Sequence, residues 1–290
     1  MNKQKLEKAA QIFFLANALL AVVSVLAIAV FILIKGMTPF VSGQYSLFSF
    51  LGGMEWRPKQ EVYGVFYMLV ASILSTAGAI LLAIPLGTFT AIYISLFAKP
   101  KVSSFLLAAV ELLSGIPSVI FGIVGLGWIV PRLMAISPRA EGKSLLAVIL
   151  VLTMMVLPIV VSLAVTALRG VPDSYKEGSY ALGASYTYTV FKVVLPAAKS
   201  GLAAAYILGI GRALGETMAV MLVAGNPAGG LPLSLWDKVR PLTTNIALEM
   251  SYSVGMHQQM LFSTGVVLLA FIILINLILN RVRKLGDHDK

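Results

Sequence analysis

The 290-residue chain is 59% hydrophobic and only 12% charged, with a mean hydropathy of +0.93. A chain this poor in charge, at about half the usual share, cannot cover a soluble surface, which excludes an ordinary soluble enzyme or binding module. The lack of cysteine excludes disulfides, thiolate metal sites and cysteine nucleophiles, and the net charge of +10 suits the loops of a membrane protein better than nucleic acid, since no basic recognition helix or aromatic-rich basic strand accompanies it.

In chain order, six apolar segments are predicted to be membrane-spanning helices: residues 11–34, 63–97, 104–130, 144–168, 200–224 and 262–280. Each is close to or longer than the roughly 20 residues that cross a bilayer as a helix. The first follows Lys3, Lys5 and Lys8 and holds Ala27-Ile28-Ala29, as a secretory leader does. Its apolar core exceeds the roughly 7–15 residues of a leader, so it is expected to be a retained helix. The second is long for a straight span, which predicts a bend at Pro85 or a tilt. Pro117 and Pro158 are expected to kink their helices, and Gly211 and Gly215, like Gly122, Gly125 and Gly127, to permit close helix packing.

Residues 35–62, with Gly52-Gly53 and Arg57-Pro58, are polar and turn-rich, as are residues 225–261, which open on Gly225-Asn226-Pro227. Both are long enough for short surface helices or for meeting a soluble partner. With the N-terminus cytoplasmic, thirteen Lys and Arg fall inside and eight outside, Arg212 lying within a span. Basic residues favour the cytoplasmic side, so both termini are expected there. No repeat or linker splits the chain into separate folding units.

The connection at residues 169–199 has unusual local structure for a loop. Pro172 starts a helix, Asp173 and Glu177 suit its positive end, and Gly183 closes it in a left-handed cap. Pro196 is expected to break the next helical stretch before the fifth span. Tyr175-Lys176-Glu177-Gly178-Ser179-Tyr180 is too polar and glycine-rich for strong lipid binding, which favours a docking element over an interfacial helix.

These residues resemble a family. Glu177-Gly178-Ser179, Gly183 and Val193-Val194-Leu195-Pro196 match the spacing of the cytoplasmic pattern of permease subunits of binding-protein-dependent ABC importers, with small residues for two alanines and Val193 for isoleucine. Two further stretches, residues 114–122 and 211–220, are similar to the permeases of the phosphate-specific importer. Arg212-Ala213-Leu214-Gly215-Glu216-Thr217 and Glu55-Trp56-Arg57-Pro58 look more like its C-type permease. The resemblance spans roughly residues 50–280. It implies an all-α polytopic fold of the type I ABC importer permease, MetI-like, with five core helices and an extra N-terminal one. The implied division is a helix and external segment at 1–62 and a permease core at 63–290. Asp173, Tyr175, Glu177, Gly183, Leu195 and Pro196 would engage the ATPase. The implied partners are a homologous A-type permease in a heterodimer, two ATP-binding subunits, an external phosphate-binding protein, phosphate and membrane lipid. The implied location is the bacterial inner membrane.

Arg212 and Glu216 draw attention apart from any family. Counting from Ser200 at 1.5 Å per residue, they lie roughly 18 and 24 Å into the fifth span. A central charge costs about 2.5–3.5 kcal/mol on insertion scales. Four residues apart on a helix, they would share a face. They read either as a self-neutralising pair that helps insertion or as a polar pathway in which Arg212 attracts an oxyanion. Apolar residues replace a structural pair at little cost, which favours the pathway; the resemblance, which implicates these positions in phosphate passage, points the same way. There Glu216 is expected to temper Arg212 and to accept the phosphate's proton. Glu111, read as a buried acid of the third span, lines that path, pairs with a partner's basic group, or serves packing. His257 and His288 are expected to be ordinary solvated residues.

Gly142-Lys143-Ser144 lacks the first P-loop glycine, since position 137 is Ser137, and Gly209-x-Gly211 is followed by Leu214 rather than the third fingerprint glycine. ATP hydrolysis is therefore expected in a separate chain. No nucleophile–base pair, metal cluster or cofactor motif appears, so no catalytic residue is assigned. Against the phosphate permease stand a permease for sulfate, molybdate or phosphonate, and a stand-alone secondary transporter, which would need its own coupling-ion site and no docking loop.

Overall fold

The structure, a computed structural model, describes residues 3–287; His288 lies outside them. It is built from helices. α1 (Lys3–Val41) leads to a small cap of α2 (Leu47–Gly52) and an antiparallel hairpin, β1 (Trp56–Arg57) and β2 (Val62–Tyr63), with Trp56 opposite Tyr63. α3 (Phe66–Ile92) passes unbroken through Pro85 and ends in a π turn, Tyr93–Phe97. α4 (Pro100–Ser114) and α5 (Ser118–Val124) follow, and α5 continues through a second π turn, Gly125–Ile129, into α6 (Val130–Ile136). α7 (Leu145–Arg169) starts at Ser144, whose Oγ accepts the Ala147 N–H.

The second half runs through α8 (Asp173–Ala181), α9 (Tyr186–Thr189), a third π turn (Val190–Val194), α10 (Leu195–Ala197), α11 (Lys199–Leu214), α12 (Met218–Val223), α13 (Leu242–Glu249) and α14 (Gly255–Asp287). Among the described residues, five helices are long and apolar enough to cross a membrane: Ala10–Val41, Phe66–Phe97, Ser118–Ile136, Leu145–Arg169 and Gly255–Arg281. A sixth is present if Tyr186–Ala197 and Lys199–Leu214, bent by 66°, count as one.

α7 is apolar on every side and is accordingly the buried centre, packed by α3, α11 and α4. α1 stands at the periphery against α14, where Ser263 Oγ donates to the Gly36 carbonyl at 2.6 Å. The bundle has two ends. At one, residues 42–65, 137–144 and 225–254 form a cap, tied by the Arg139–Asp237 and Lys238–Glu141 ion pairs. At the other, Arg169 donates to Ser103 Oγ at 2.9 Å, gathering residues 93–103 and 169–198.

Two expected spans are not continuous helices. The third breaks at Gly115-Ile116-Pro117, so Pro117 caps α5 instead of kinking a helix, and the crossing helix is Ser118–Ile136. The fifth breaks at Gly215-Glu216-Thr217. Each break begins at a glycine that ends the preceding helix. The break expected at Pro196 comes two residues later, at Ala198; the proline ring removes an N–H, and the chain first widens so that the Leu195 N–H reaches the Val190 carbonyl.

Candidate functional site

The half-helices that follow the two breaks, α5 and α12, pack against each other. A Cβ on Gly122 would sit 2.7 Å from the Ala219 Cα, and one on Gly125 would sit 3.0 Å from Val223. Matching steps along both helices show that α5 and α12 run in parallel, with both N-termini at the breaks. Gly211 and Gly215 do not serve this packing: no neighbour lies within 4 Å of a Cβ on Gly211, and the nearest to one on Gly215 is the Gly211 carbonyl at 3.5 Å.

Arg212 and Glu216 are not on one helix face. Gly215 ends α11, its N–H bonding the Gly211 carbonyl at 3.1 Å, so Glu216 belongs to the break. Glu216 is 7% exposed, and its Oε1 accepts the Ala219 N–H at 3.0 Å, capping α12. Arg212 is exposed in the last turn of α11 and has no ion-pair or hydrogen-bond partner among the described residues. The self-neutralising pair is therefore absent within this chain. Glu111 is exposed rather than buried and occupies the last turn of α4, before the other break. An ionisable side chain thus precedes each break. Gly115, Pro117 and Gly215 are exposed too. Irregular backbone at membrane depth requires protein or water against it, not lipid.

At the other end, α8 forms as its residues dictate. Pro172 precedes it, and Asp173 accepts from Lys176 Nζ at 2.8 Å. That hydrogen bond and the lysine's charge hold the Asp173 carboxyl below its usual range. Gly183 takes φ +81°, its N–H bonding the Tyr180 carbonyl at 2.9 Å while the Ala184 N–H bonds that of Ser179 at 3.2 Å. This is the left-handed cap expected from sequence. Ser179 and Thr189 share a hydrogen bond of 2.9 Å that clips α8 to α9, and Tyr186 bonds the Leu96 carbonyl. Asp173, Tyr175 and Glu177 remain exposed. Hollows of about 660 and 670 Å³ flank the helix, with Tyr175 and Val193 lining both, Gly183 the first and Pro196 the second; Leu195 is half-buried beneath. α8 therefore projects between two recesses.

The cap holds a cluster that sequence reasoning missed. Glu249 Oε2 accepts from Trp56 Nε1 and faces His257 Nε2, each at 2.7 Å, while Oε1 pairs with Arg240. Burial pushes the Glu249 carboxyl up, but the Trp56 indole, the Arg240 charge and hydrogen bond, and His257 outweigh it and hold the group below its usual range. His257, stacked on Tyr63, is thus not an ordinary solvated residue. The available signal was faint, because charges in a segment read as a polar loop pass for solvated ones. Among the described residues no group of His, Asp or Glu could hold a metal ion.

Residues 83–288 match the family described as binding-protein-dependent transport system inner membrane component. The chain is 37% identical over 288 residues to the probable ABC transporter permease protein YqgH of Bacillus subtilis (strain 168), covering 97% of this chain and 93% of that protein. It is 33% identical over 267 residues to the phosphate transport system permease protein PstC of Pasteurella multocida (strain Pm70), covering 83% of each. Among solved structures, an inward-facing MetNI methionine ABC transporter has a chain that superposes with a TM-score of 0.56 at 23% identity, over 77% of this chain and 94% of that one, a likeness of fold.

Proposed function

This chain belongs to the family of binding-protein-dependent transport system inner membrane components and is a multi-pass ABC transporter permease, and from that premise we propose that it carries inorganic phosphate inward by alternating access. The observation that carries this reading is the exposed Arg212 just before the break at 215–217, which has no partner among the described residues, while the half-helix after that break packs on the one after the break at 115–117. A guanidinium free of a carboxylate is available to an oxyanion. Relatives named as phosphate permeases, at 30–33% identity, support phosphate as the anion. Arg212 attracts the anion. Glu216, whose Oε1 caps α12, tempers Arg212 so that phosphate is not trapped and accepts its proton. Glu111 lines the path, pairs with a partner's basic group or serves packing.

In this reading residues 1–62 form an N-terminal helix and external segment, and 63–290 the permease core. The end carrying α8 is cytoplasmic, as are both termini, in keeping with the thirteen basic residues assigned there. Loop 169–199 docks one of two ATP-binding subunits through Asp173, Tyr175, Glu177, Gly183, Leu195 and Pro196. Those subunits hydrolyse ATP. A homologous A-type permease covers the exposed breaks, and an external phosphate-binding protein meets the cap.

Uptake of radiolabelled phosphate by proteoliposomes holding this chain, its second permease and the ATP-binding subunits, with the binding protein supplied, tests the proposal. ATP-dependent uptake that excess sulfate, molybdate and phosphonate do not suppress is the expected result. Accumulation of another oxyanion in place of phosphate points to the sister reading. Uptake without ATP-binding subunits points to a stand-alone transporter.

A further inference from the structure

The unwound turn between α11 and α12 receives one side-chain hydrogen bond from outside its own span among the described residues. Thr243, in the first turn of α13, donates from Oγ1 to the Glu216 backbone carbonyl at 2.9 Å, and the residue is 8% exposed. The turn's other bonds are local, from the Gly215 N–H to the Gly211 carbonyl, from the Glu216 N–H to the Ala213 carbonyl, from Thr217 Oγ1 to the Gly215 carbonyl, from the Ala219 N–H to Glu216 Oε1 and from the Met221 N–H to the Thr217 carbonyl. A carbonyl freed by a helix break and buried needs a donor, and Thr243 supplies it.

α13 is in turn fixed to the cap. The Leu242 N–H bonds Ser72 Oγ of α3 at 3.1 Å. At the far end of the same helix, Glu249 is gripped by Trp56 of the hairpin, by Arg240, and by His257 at the start of α14. One short helix therefore has its first turn on the break and its last on the buried cap cluster.

We infer that Thr243 is a positioning residue for transport, tying the Glu216 turn to α13 so that a displacement of the cap reaches the break. The inference rests on the proposed role of that break as the phosphate pathway. Its chemical requirement is narrow: a hydroxyl at position 243. Valine has nearly the same shape and cannot donate, whereas serine keeps the donor and loses a methyl group.

The test uses the complete transporter in proteoliposomes with its phosphate-binding protein, and reads phosphate delivered per ATP hydrolysed. Thr243→Val is expected to lower that ratio about tenfold, the equivalent of one buried hydrogen bond, and Thr243→Ser to stay within about twofold of the parent. The chain has no cysteine, so Thr217→Cys reports on the turn by reaction with a water-soluble maleimide. Labelling is expected to depend on the binding protein and ATP in the Thr243 background and to lose that dependence with Thr243→Val. An unchanged ratio in Thr243→Val, or a Thr243→Ser chain as impaired as Thr243→Val, overturns the inference. Arg212→Ala in the same assay separates the two layers. If it transports normally, the pathway reading fails; if it loses uptake while Thr243→Val does not, only the role of Thr243 falls.

Discussion

Trp56 and Glu249, 193 positions apart in the chain, meet through a buried hydrogen bond of 2.7 Å between the indole N–H and a carboxylate oxygen. The hairpin, α13 and the start of α14 are joined through this one carboxylate, since Arg240 and His257 contact it as well. Breaking a buried charge pair from one side leaves the other charge uncompensated. Glu249→Ala is therefore expected to destabilise the chain by about 3–5 kcal/mol. Trp56→Phe, which removes one charge-assisted bond, should cost about 1.5–3 kcal/mol. Thermal unfolding of detergent-solubilised protein measures both, and a Glu249→Ala midpoint equal to the parent's would refute the cluster's structural role.

The same carboxylate sets a pH dependence. Its folded-state pKa is depressed, so its contribution to stability is complete above the unfolded value, about 4.3. That contribution is lost as pH falls through the lower, folded value, where protonation ends the pairing with Arg240. Midpoints measured from pH 7 down to pH 3 should fall in the acid range, and Glu249→Gln should flatten that part of the curve relative to the parent.

Gly122 has Ala219 backbone where a side chain would go, at 2.7 Å. Gly122→Val is expected to force α5 and α12 apart and to cost about 1–3 kcal/mol. Gly127, with nothing within 4 Å, is the control, and Gly127→Ala should stay within about 0.5 kcal/mol. Equal midpoints for the two variants would contradict the close packing of the half-helices.

Gly183 holds φ +81° at the end of α8. A β-branched residue there meets steric conflict of about 1–2 kcal/mol. Gly183→Val should loosen the cap of α8 and reduce copurification of the ATP-binding subunits. Glu177→Ala, on the exposed face, should weaken the same association without altering the thermal midpoint. Full recovery of those subunits with both variants would remove α8 as the docking element.

Arg212 has no carboxylate partner among the described residues, so changing it should affect transport more than stability. Arg212→Ala is expected to lower phosphate uptake at least about tenfold, with Arg212→Lys intermediate because an ammonium keeps the charge and loses the planar fork. Initial uptake rates across phosphate concentrations give the comparison.

Much of this architecture is legible from local chemistry. Pro172 and Gly183 mark the ends of α8 because capping is decided within a few residues, and apolar length reveals most spans. The breaks are hidden by that same measure. Gly115-Ile116-Pro117 and Gly215-Glu216-Thr217 each occupy three positions inside long apolar runs, and hydropathy averaged over roughly 19 residues cannot register them. The helical pairing expected of Arg212 and Glu216 fails for a local reason, since Gly215 stands between them and stops the helix. The cap cluster is illegible for the opposite reason: Trp56, Arg240, Glu249 and His257 become neighbours only through the tertiary fold.

The peripheral seam between α1 and α14 has a consequence for biogenesis. α1 leaves the ribosome long before its principal neighbour, which follows the whole core in the chain. Until α14 arrives, α1 lacks that neighbour, and even in the finished fold none of its most apolar stretch is buried by protein. A helix that waits in hydrocarbon must tolerate it on every side. From Leu19 to Ile34 the chain meets that demand, with Ser24 the single polar side chain in the stretch. α14, by contrast, inserts beside a helix already in place.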